Sequence, residues 1–438
     1  MSILEKYGRD LRLLTGAGLQ PPDARMTLLD EALTGRGRAA LALGLGTYVA
    51  AWAFGAHALY TPAVGLVLAA GIALVWTRLL SRPLHLHRSI DREQPVEGED
   101  IVVDVELEAQ GGGVLPSSVL LHDPVGGLGA RDVTVPREGD RLQTAYRIER
   151  APRGRYLFHG AEVSIEDPFG LSRVQQPLPD TGALVVYPRL TKLATLFSER
   201  GLRAHGGGRM LLRRPAGFEL HSVREYQDGE SLRRVHWPST ARRRQLMVKE
   251  LEDAPRDEVL IVLDAQAGFA AGAPPDSSFD AQVRIAGSIL WTHARRGRHG
   301  RLLVTSTLGE TVAVRSYEQD WPRAMETLAA AEQDGRRPLE AFLGDAAGDA
   351  GRASDLAIVT PALRPALVET LIARALSRQY VSAVYVDLPS FDGRERRAVG
   401  VDAAVLRLEA AGIPVATVHR GDDLGAVLAA ATERVAIG

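Results

Sequence analysis

The chain has no cysteine. That excludes disulfides, thiolate metal ligands, palmitoyl anchors and a cysteine nucleophile, and it suits a reducing compartment. Lysine is nearly absent too: only Lys6, Lys192 and Lys249 occur, against 49 arginines. With Ala and Gly abundant, this reads as the coding bias of a GC-rich bacterial genome, so arginine by itself is no sign of phosphate binding. A net charge of −2 and only 5% aromatic residues argue against a nucleic-acid surface, which needs a clearly basic domain with stacking aromatics. Nucleotide and nucleophile frames are also missing. No GxGxxG or GxxxxGK follows the strand that ends at Asp264, and there is no GxSxG. No cofactor and no catalytic residue is expected on these grounds.

What the chain does have is length and pattern. At 438 residues it exceeds one ordinary hydrophobic core, so two or more domains are expected. From Ala39 to Thr77 there is no Asp, Glu, Lys or Arg, and the run divides at GAHALYTP (55–62). Each half, about 39–56 and 59–77, is long enough to cross a hydrocarbon core of roughly 30 Å as a helix. The reading is a transmembrane hairpin behind an N-terminal segment 1–38. A cleaved signal sequence is not expected, because the apolar run starts late and a second one follows it. Arg36 and Arg38 precede the hairpin and Arg78, Arg82 and Arg88 follow it, while the connecting loop carries no Lys or Arg. Both ends, and all that follows, are therefore expected on the cytoplasmic side of a bacterial cytoplasmic membrane.

Residues 84–190 read as an immunoglobulin-like β-sandwich. IVVDVELEA alternates with period two, and SVLLHD, RDVTV, LQTAYRIE, AEVSIED and ALVVYP follow between Gly, Pro and Asp clusters. Asp167-Pro168-Phe169-Gly170 reads as a tight turn. His85 and His87 have no third ligand at metal-site spacing. Residues 257–438 alternate short apolar strands (EVLIVLDA, RLLVTST, SDLAIVT, VSAVYVDL, IPVATVH) with amphipathic stretches. That order predicts a doubly wound α/β domain whose ligands would lie beyond the carboxyl ends of the strands, where Asp264 stands.

Between these domains lies a linker and signature segment, 191–256. Its core reads SVREYQDGESLRRVHWPSTARRRQLMVKELE (222–252), and from Arg200 to Arg244 there are eleven Arg against four acidic residues. Arg224-Glu225-Tyr226 begins an extended piece and Asp228-Gly229 makes a turn. Ser231 caps a short helix carrying Leu232, Val235 and Trp237, with signature residues Arg233 and Arg234, that Pro238 ends. Arg242, Arg243 and Arg244 then lead into a strand containing Glu250, on the way to the α/β sheet. Three uses compete: an internal clasp between domains, a docking surface for a protein partner, and a surface for nucleic acid or anionic lipid.

With RGRY (153–156), DPFGL (167–171) and LVVYPRL (184–190), this segment resembles the bacterial domain-of-unknown-function family 58. The resemblance implies a membrane hairpin, a von Willebrand factor A-like C-terminal domain and a MoxR-type AAA+ ATPase as partner. It also implies a place to look for Mg²⁺, since such domains bind it through Asp-x-Ser-x-Ser. Here the matching run is Asp264-Ala265-Gln266-Ala267-Gly268, and both hydroxyl ligands of the hard cation are gone. The reading is therefore a non-catalytic membrane-anchored adaptor with a degenerate metal site. The alternative is a hydrolase using Asp264 at the sheet edge.

Overall fold

The structure is a computed structural model and describes residues 32–109, 115–193, 220–225, 237–243, 245–251, 258–345, 355–377, 379–393 and 401–437. The chain forms two compact units. One runs up to Asp91 and adds Val102–Ile148 and Tyr156–Leu184. The other takes Arg92–Ile101, Glu149–Arg155 and everything from Val185 on.

The first unit opens with helices α1 (Gly35–Phe54) and α2 (Tyr60–Leu80). Thr34 caps α1 through its hydroxyl, and Gly55 ends it in the left-handed conformation that glycine adopts without strain. The two helices pack through small residues. Ala51, Ala63, Ala70 and Ala73 are buried, and a side chain on Gly44 would press on Val67 and the Ala63 carbonyl. The large apolar side chains face the other way: Trp52 is 74% exposed and Phe54 84%, with Leu43, Val49, Leu68, Ile72 and Leu79 also exposed. Among the described residues, the stretch His57–Leu80, of mean hydropathy 2.0, is long and apolar enough to cross a membrane.

The strands that follow are β1 (Leu84–Ile90), β2 (Ile101–Ala109), β3 (Ser118–Val125), β4 (Gly129–Glu138), β5 (Arg141–Ile148), β6 (Gly154–Phe158), β7 (Ala161–Glu166), β8 (Arg173–Leu178) and β9 (Gly182–Val186). They make one large, mainly antiparallel nine-stranded sheet, ordered β1-β2-β5-β4-β3-β6-β9, with β7 joining β3 to β8. Alternation is clear in β2, whose Ile101, Val103, Val105 and Leu107 are buried while the residues between are less so. The PLHLHRS stretch contributes strand β1, with His85 opposite Glu108 and His87 opposite Glu106. Arg88 is therefore no juxtamembrane charge. It is buried against Asp123 (2.8 Å) and reaches Asp180 (2.8 Å), and Tyr146 donates to the same Asp123 carboxylate (2.8 Å). Burial beside that carboxylate pushes the Tyr146 phenol well above its ordinary pKa.

The second unit has a two-stranded antiparallel sheet, β10 (Leu220–Glu225) with β11 (Met247–Leu251), and helix α3 (Trp237–Arg243). Its main body is a six-stranded sheet made of β12 (Glu258–Leu263), β13 (His299–Val304), β14 (Thr311–Val314), β15 (Asp355–Thr360), β16 (Tyr380–Val386) and β17 (Val415–Val418). The order is β14-β13-β12-β15-β16-β17, and every pairing is parallel except β13 with β14. Strand order reverses at β12, as in doubly wound sheets that bind ligands at that point.

Both faces of this sheet are covered, so its strands read as unbroken apolar runs rather than alternating ones. Val259, Ile261 and Leu263 belong to a core shared with helix α4 (Ser278–Arg295). Leu260 and Val262 belong to a second core. That second core takes Leu343 of α6 (Leu339–Asp345) and Leu367 and Leu371 of α7 (Pro365–Leu376). Helix α5 (Tyr317–Ala330) contributes Leu328 to the first. Short α8 (Leu388–Phe391), α9 (Val401–Ala410) and α10 (Leu424–Ile437) complete the unit.

Candidate functional site

Asp264 follows β12 directly, at the point where strand order reverses. It is 1% exposed, and both carboxylate oxygens are engaged. The Gln266 N–H donates to Oδ1 (3.1 Å) and the Thr360 hydroxyl, at the end of β15, donates to Oδ2 (2.7 Å). Burial raises its pKa, only partly offset by these bonds and by the charge of Arg364. The turn beyond it is held by neighbours at the same edge. The Ala265 N–H donates to the Thr305 hydroxyl (2.9 Å), and Gly335 exchanges bonds with Ala265 and Ala267. Position 335 must be glycine, because a Cβ there would stand 2.2 Å from the Thr305 carbonyl oxygen.

Arg364, which precedes α7, supplies the positive charge. Its guanidinium donates to Gln266 Oε1 (2.6 Å), pairs with Glu340 (3.1 Å) and lies over the Phe269 ring at 5.8 Å. Gln266 is therefore committed to an arginine of the same chain. A hard divalent cation wants several free oxygens. This edge offers Asp264, with both oxygens already used, and Glu340, paired with the Arg364 guanidinium beside it, so the donor set does not fit Mg²⁺. Among the described residues no three His, Asp or Glu side chains gather to hold a metal ion.

The signature residues fall elsewhere. Arg224 and Glu225 lie on β10, opposite Val248 and Met247, and Glu250 lies on β11 opposite Ser222. Within the QLMVKELE run, Met247–Leu251 is strand β11, as the alternation predicts, and it pairs with β10. Trp237 opens α3. Pro238 stands in the first turn of that helix and does not end one, because a first-turn N–H has no helical partner to lose. Arg242 and Arg243 are exposed in its last turn, favourably placed on the helix dipole. The buried Met247 N–H is tied to the Thr240 hydroxyl (3.0 Å). Tyr226, Asp228, Gly229, Arg233, Arg234 and Arg244 lie outside the described residues.

A second polar centre was not singled out in the sequence. Arg153, the first residue of RGRY, is buried against α4 and pairs with Asp280 (2.9 Å, side chains 6% and 4% exposed). Its guanidinium also donates to the Leu328, Ala329 and Ala331 carbonyls that end α5, at 3.2, 3.3 and 2.8 Å, and stacks over Phe279. Nearby, Glu97 is fully buried and accepts from Arg284 (2.5 Å) and from the Arg189 N–H (2.8 Å). Its pKa is raised by burial. These arginines position backbone and helix ends; Arg189 and Arg284 also line a cleft of about 450 Å³ with Asp276, Phe391, His419 and Arg420.

Residues 222–395 match the family described as "Protein of unknown function DUF58". The chain is 25% identical over 235 residues to the uncharacterized protein YeaD of Bacillus subtilis; the alignment takes in 53% of this chain and 57% of that protein's length. Three solved structures align at very low structural similarity. A conjugative transposon lipoprotein from Bacteroides eggerthii is 12% identical, with 23% of this chain and 100% of that one covered and a TM-score of 0.14. The Pseudomonas fluorescens alkylpurine DNA glycosylase AlkC is 15% identical, with 32% and 42% covered and a TM-score of 0.14. Clostridium difficile Cwp6 is 10% identical, with 80% and 52% covered and a TM-score of 0.15. Scores of this size carry no argument.

Proposed function

We propose that the chain is a membrane-anchored, non-catalytic adaptor whose two helices cross the cytoplasmic membrane as a hairpin and hold an immunoglobulin-like β-sandwich and a von Willebrand A-like domain in the cytosol. The observation that carries the anchor is the packing of α1 on α2. Small residues lie between the helices and large apolar ones point outward. In water this would waste hydrophobic surface; in lipid it is the expected arrangement, because close van der Waals contact rather than apolar burial holds helices together there. Arg36 and Arg38 at the start of α1, with Arg78 and Arg82 at the end of α2, support a cytoplasmic position for both ends.

The engagement of Asp264 supports an adaptor over a hydrolase. A raised carboxyl pKa would suit a general acid, but a catalytic group must come within reach of substrate. Asp264 is closed off and spends one oxygen on its own turn and the other on the Thr360 hydroxyl at the end of β15. The partner class, a MoxR-type AAA+ ATPase, follows from the family resemblance, and exposed Arg242 and Arg243 are its proposed contact.

The expected result is that affinity purification of the full chain from native membranes brings down the ATPase, identified by mass spectrometry. Arg242→Glu with Arg243→Glu should remove it while leaving stability within about 0.5 kcal/mol per site. Retention of the ATPase by that variant would remove these arginines from the contact. A native preparation free of any AAA+ ATPase would remove the partner.

A further inference from the structure

We infer that the turn Asp167–Ser172 of the β unit is itself a membrane contact, with Phe169 set into the interfacial layer of the bilayer; the inference rests on the reading of α1 and α2 as membrane spans. The charge-free run from Ala39 to Thr77 defines where hydrocarbon would begin and end. Both of its borders touch this one turn. At the α2 border, Thr77 Oγ1 is 2.8 Å from Ser172 Oγ, which also donates to the Ala32 carbonyl. At the α1 border, the Thr34 N–H and hydroxyl donate to the Leu171 and Gly170 carbonyls at 3.0 and 2.6 Å. Gly37 lies so close that a Cβ there would stand 1.9 Å from the Leu171 oxygen. Residues 170–172 are thereby fixed at the depth where the apolar stretch gives way to Arg36, Arg38 and Arg78.

The turn is rigid as well as placed. Asp167 is buried and spends both oxygens on it, accepting from the Phe169 N–H (2.9 Å) and the Ser172 N–H (2.6 Å). Gly170 takes a left-handed φ of 66° and its N–H closes the turn on the Asp167 carbonyl (3.0 Å). Phe169 at the tip is then held outward, 77% exposed, in a turn with no internal use for a phenyl ring. Arg36 approaches the same turn, its Nη1 3.8 Å from where a Gly170 Cβ would be. An aromatic ring beside an arginine, at the end of an apolar helix pair, is the composition of a membrane–water interface. Such a contact would add a third point of attachment to the two spans and fix how the β unit stands on the bilayer.

Because the chain lacks cysteine, single labels are clean. Phe169→Cys, Val49→Cys (within α1) and Asp140→Cys (the exposed β4–β5 turn) would be spin-labelled in the full chain in phospholipid nanodiscs, and collision with oxygen and with a water-soluble nickel chelate would be compared. The expected result is a several-fold lower nickel accessibility at 169 than at 140, with an oxygen-to-nickel ratio between those of 140 and 49. A label at 169 that behaves like 140 while 49 reads as lipid-buried would overturn the contact and leave the spans standing. If 49 also behaves like 140, the membrane reading itself falls, and the contact with it.

Discussion

Replacing Arg153 with methionine is expected to destabilise the α/β unit by about 3 to 5 kcal/mol, the range seen when one partner of a buried ion pair is removed. Asp280 would be left buried without its countercharge, and three carbonyls at the end of α5 would lose their donor. Against a total stability of about 5 to 15 kcal/mol, that is enough to lower Tm by on the order of 10 °C. The double variant Arg153→Met, Asp280→Asn should recover part of the loss, because it removes the orphaned charge while Asn keeps an oxygen for the Ser277 cap at the start of α4. Thermal melts of the two variants decide the matter. A change below about 0.5 kcal/mol in the single variant would mean that the pair is not structural.

The second large effect is one of pH. His293 on α4 is buried, neither ring nitrogen has a hydrogen-bond partner among the described residues, and its pKa is pushed down to about 3 by burial and then by Arg298 and Arg296. The unfolded chain takes up that proton near pH 6.5 and the folded chain does not. His293 therefore adds no protonation penalty above about pH 6.5, and as pH falls from there toward 3 it removes up to about 1.4 kcal/mol of stability per pH unit. Asp264 and Glu97, raised by burial, act in the opposite sense: their contribution is present at low pH and is lost as pH rises through their folded pKa values. The His293→Leu variant isolates the histidine. Near neutral pH it should be as stable as the parent or more so, since the buried polar group goes without breaking a bond. Its stability should fall less steeply between pH 6.5 and 4. Parallel curves for parent and variant, by denaturant titration at several pH values, would contradict the assignment.

Much of this architecture is readable in the chain because local pattern decides it. Apolar alternation in IVVDVELEA, the unbroken run EVLIVL and the charge-free stretch 39–77 each follow from what the two faces of an element touch. The Asp167–Gly170 turn follows from Pro and Gly at positions that suit them. Other features depend on contacts far along the chain. The burial of Arg88 on strand β1 is one, because its partner, Asp123, is on another strand. Arg153 reads as one arginine among 49 until Asp280 and the end of α5 are brought to it. The joining of Arg92–Ile101 and Glu149–Arg155 to the α/β unit has no local signature at all. At the candidate site, the lack of a hydroxyl at 266 and 268 is visible in sequence. That Arg364 takes up the vacated Gln266 side chain is not, because the two are paired only by the return of β15 beside β12.

The most direct test of the anchor is the sidedness of single cysteines in intact bacterial cells. With a membrane-impermeant maleimide, Ala56→Cys in the loop between α1 and α2 is expected to label in intact cells, whereas Asp140→Cys should label only after lysis. Labelling of Asp140→Cys from outside, or protection of Ala56→Cys until lysis, would contradict a two-span anchor with its folded units in the cytosol.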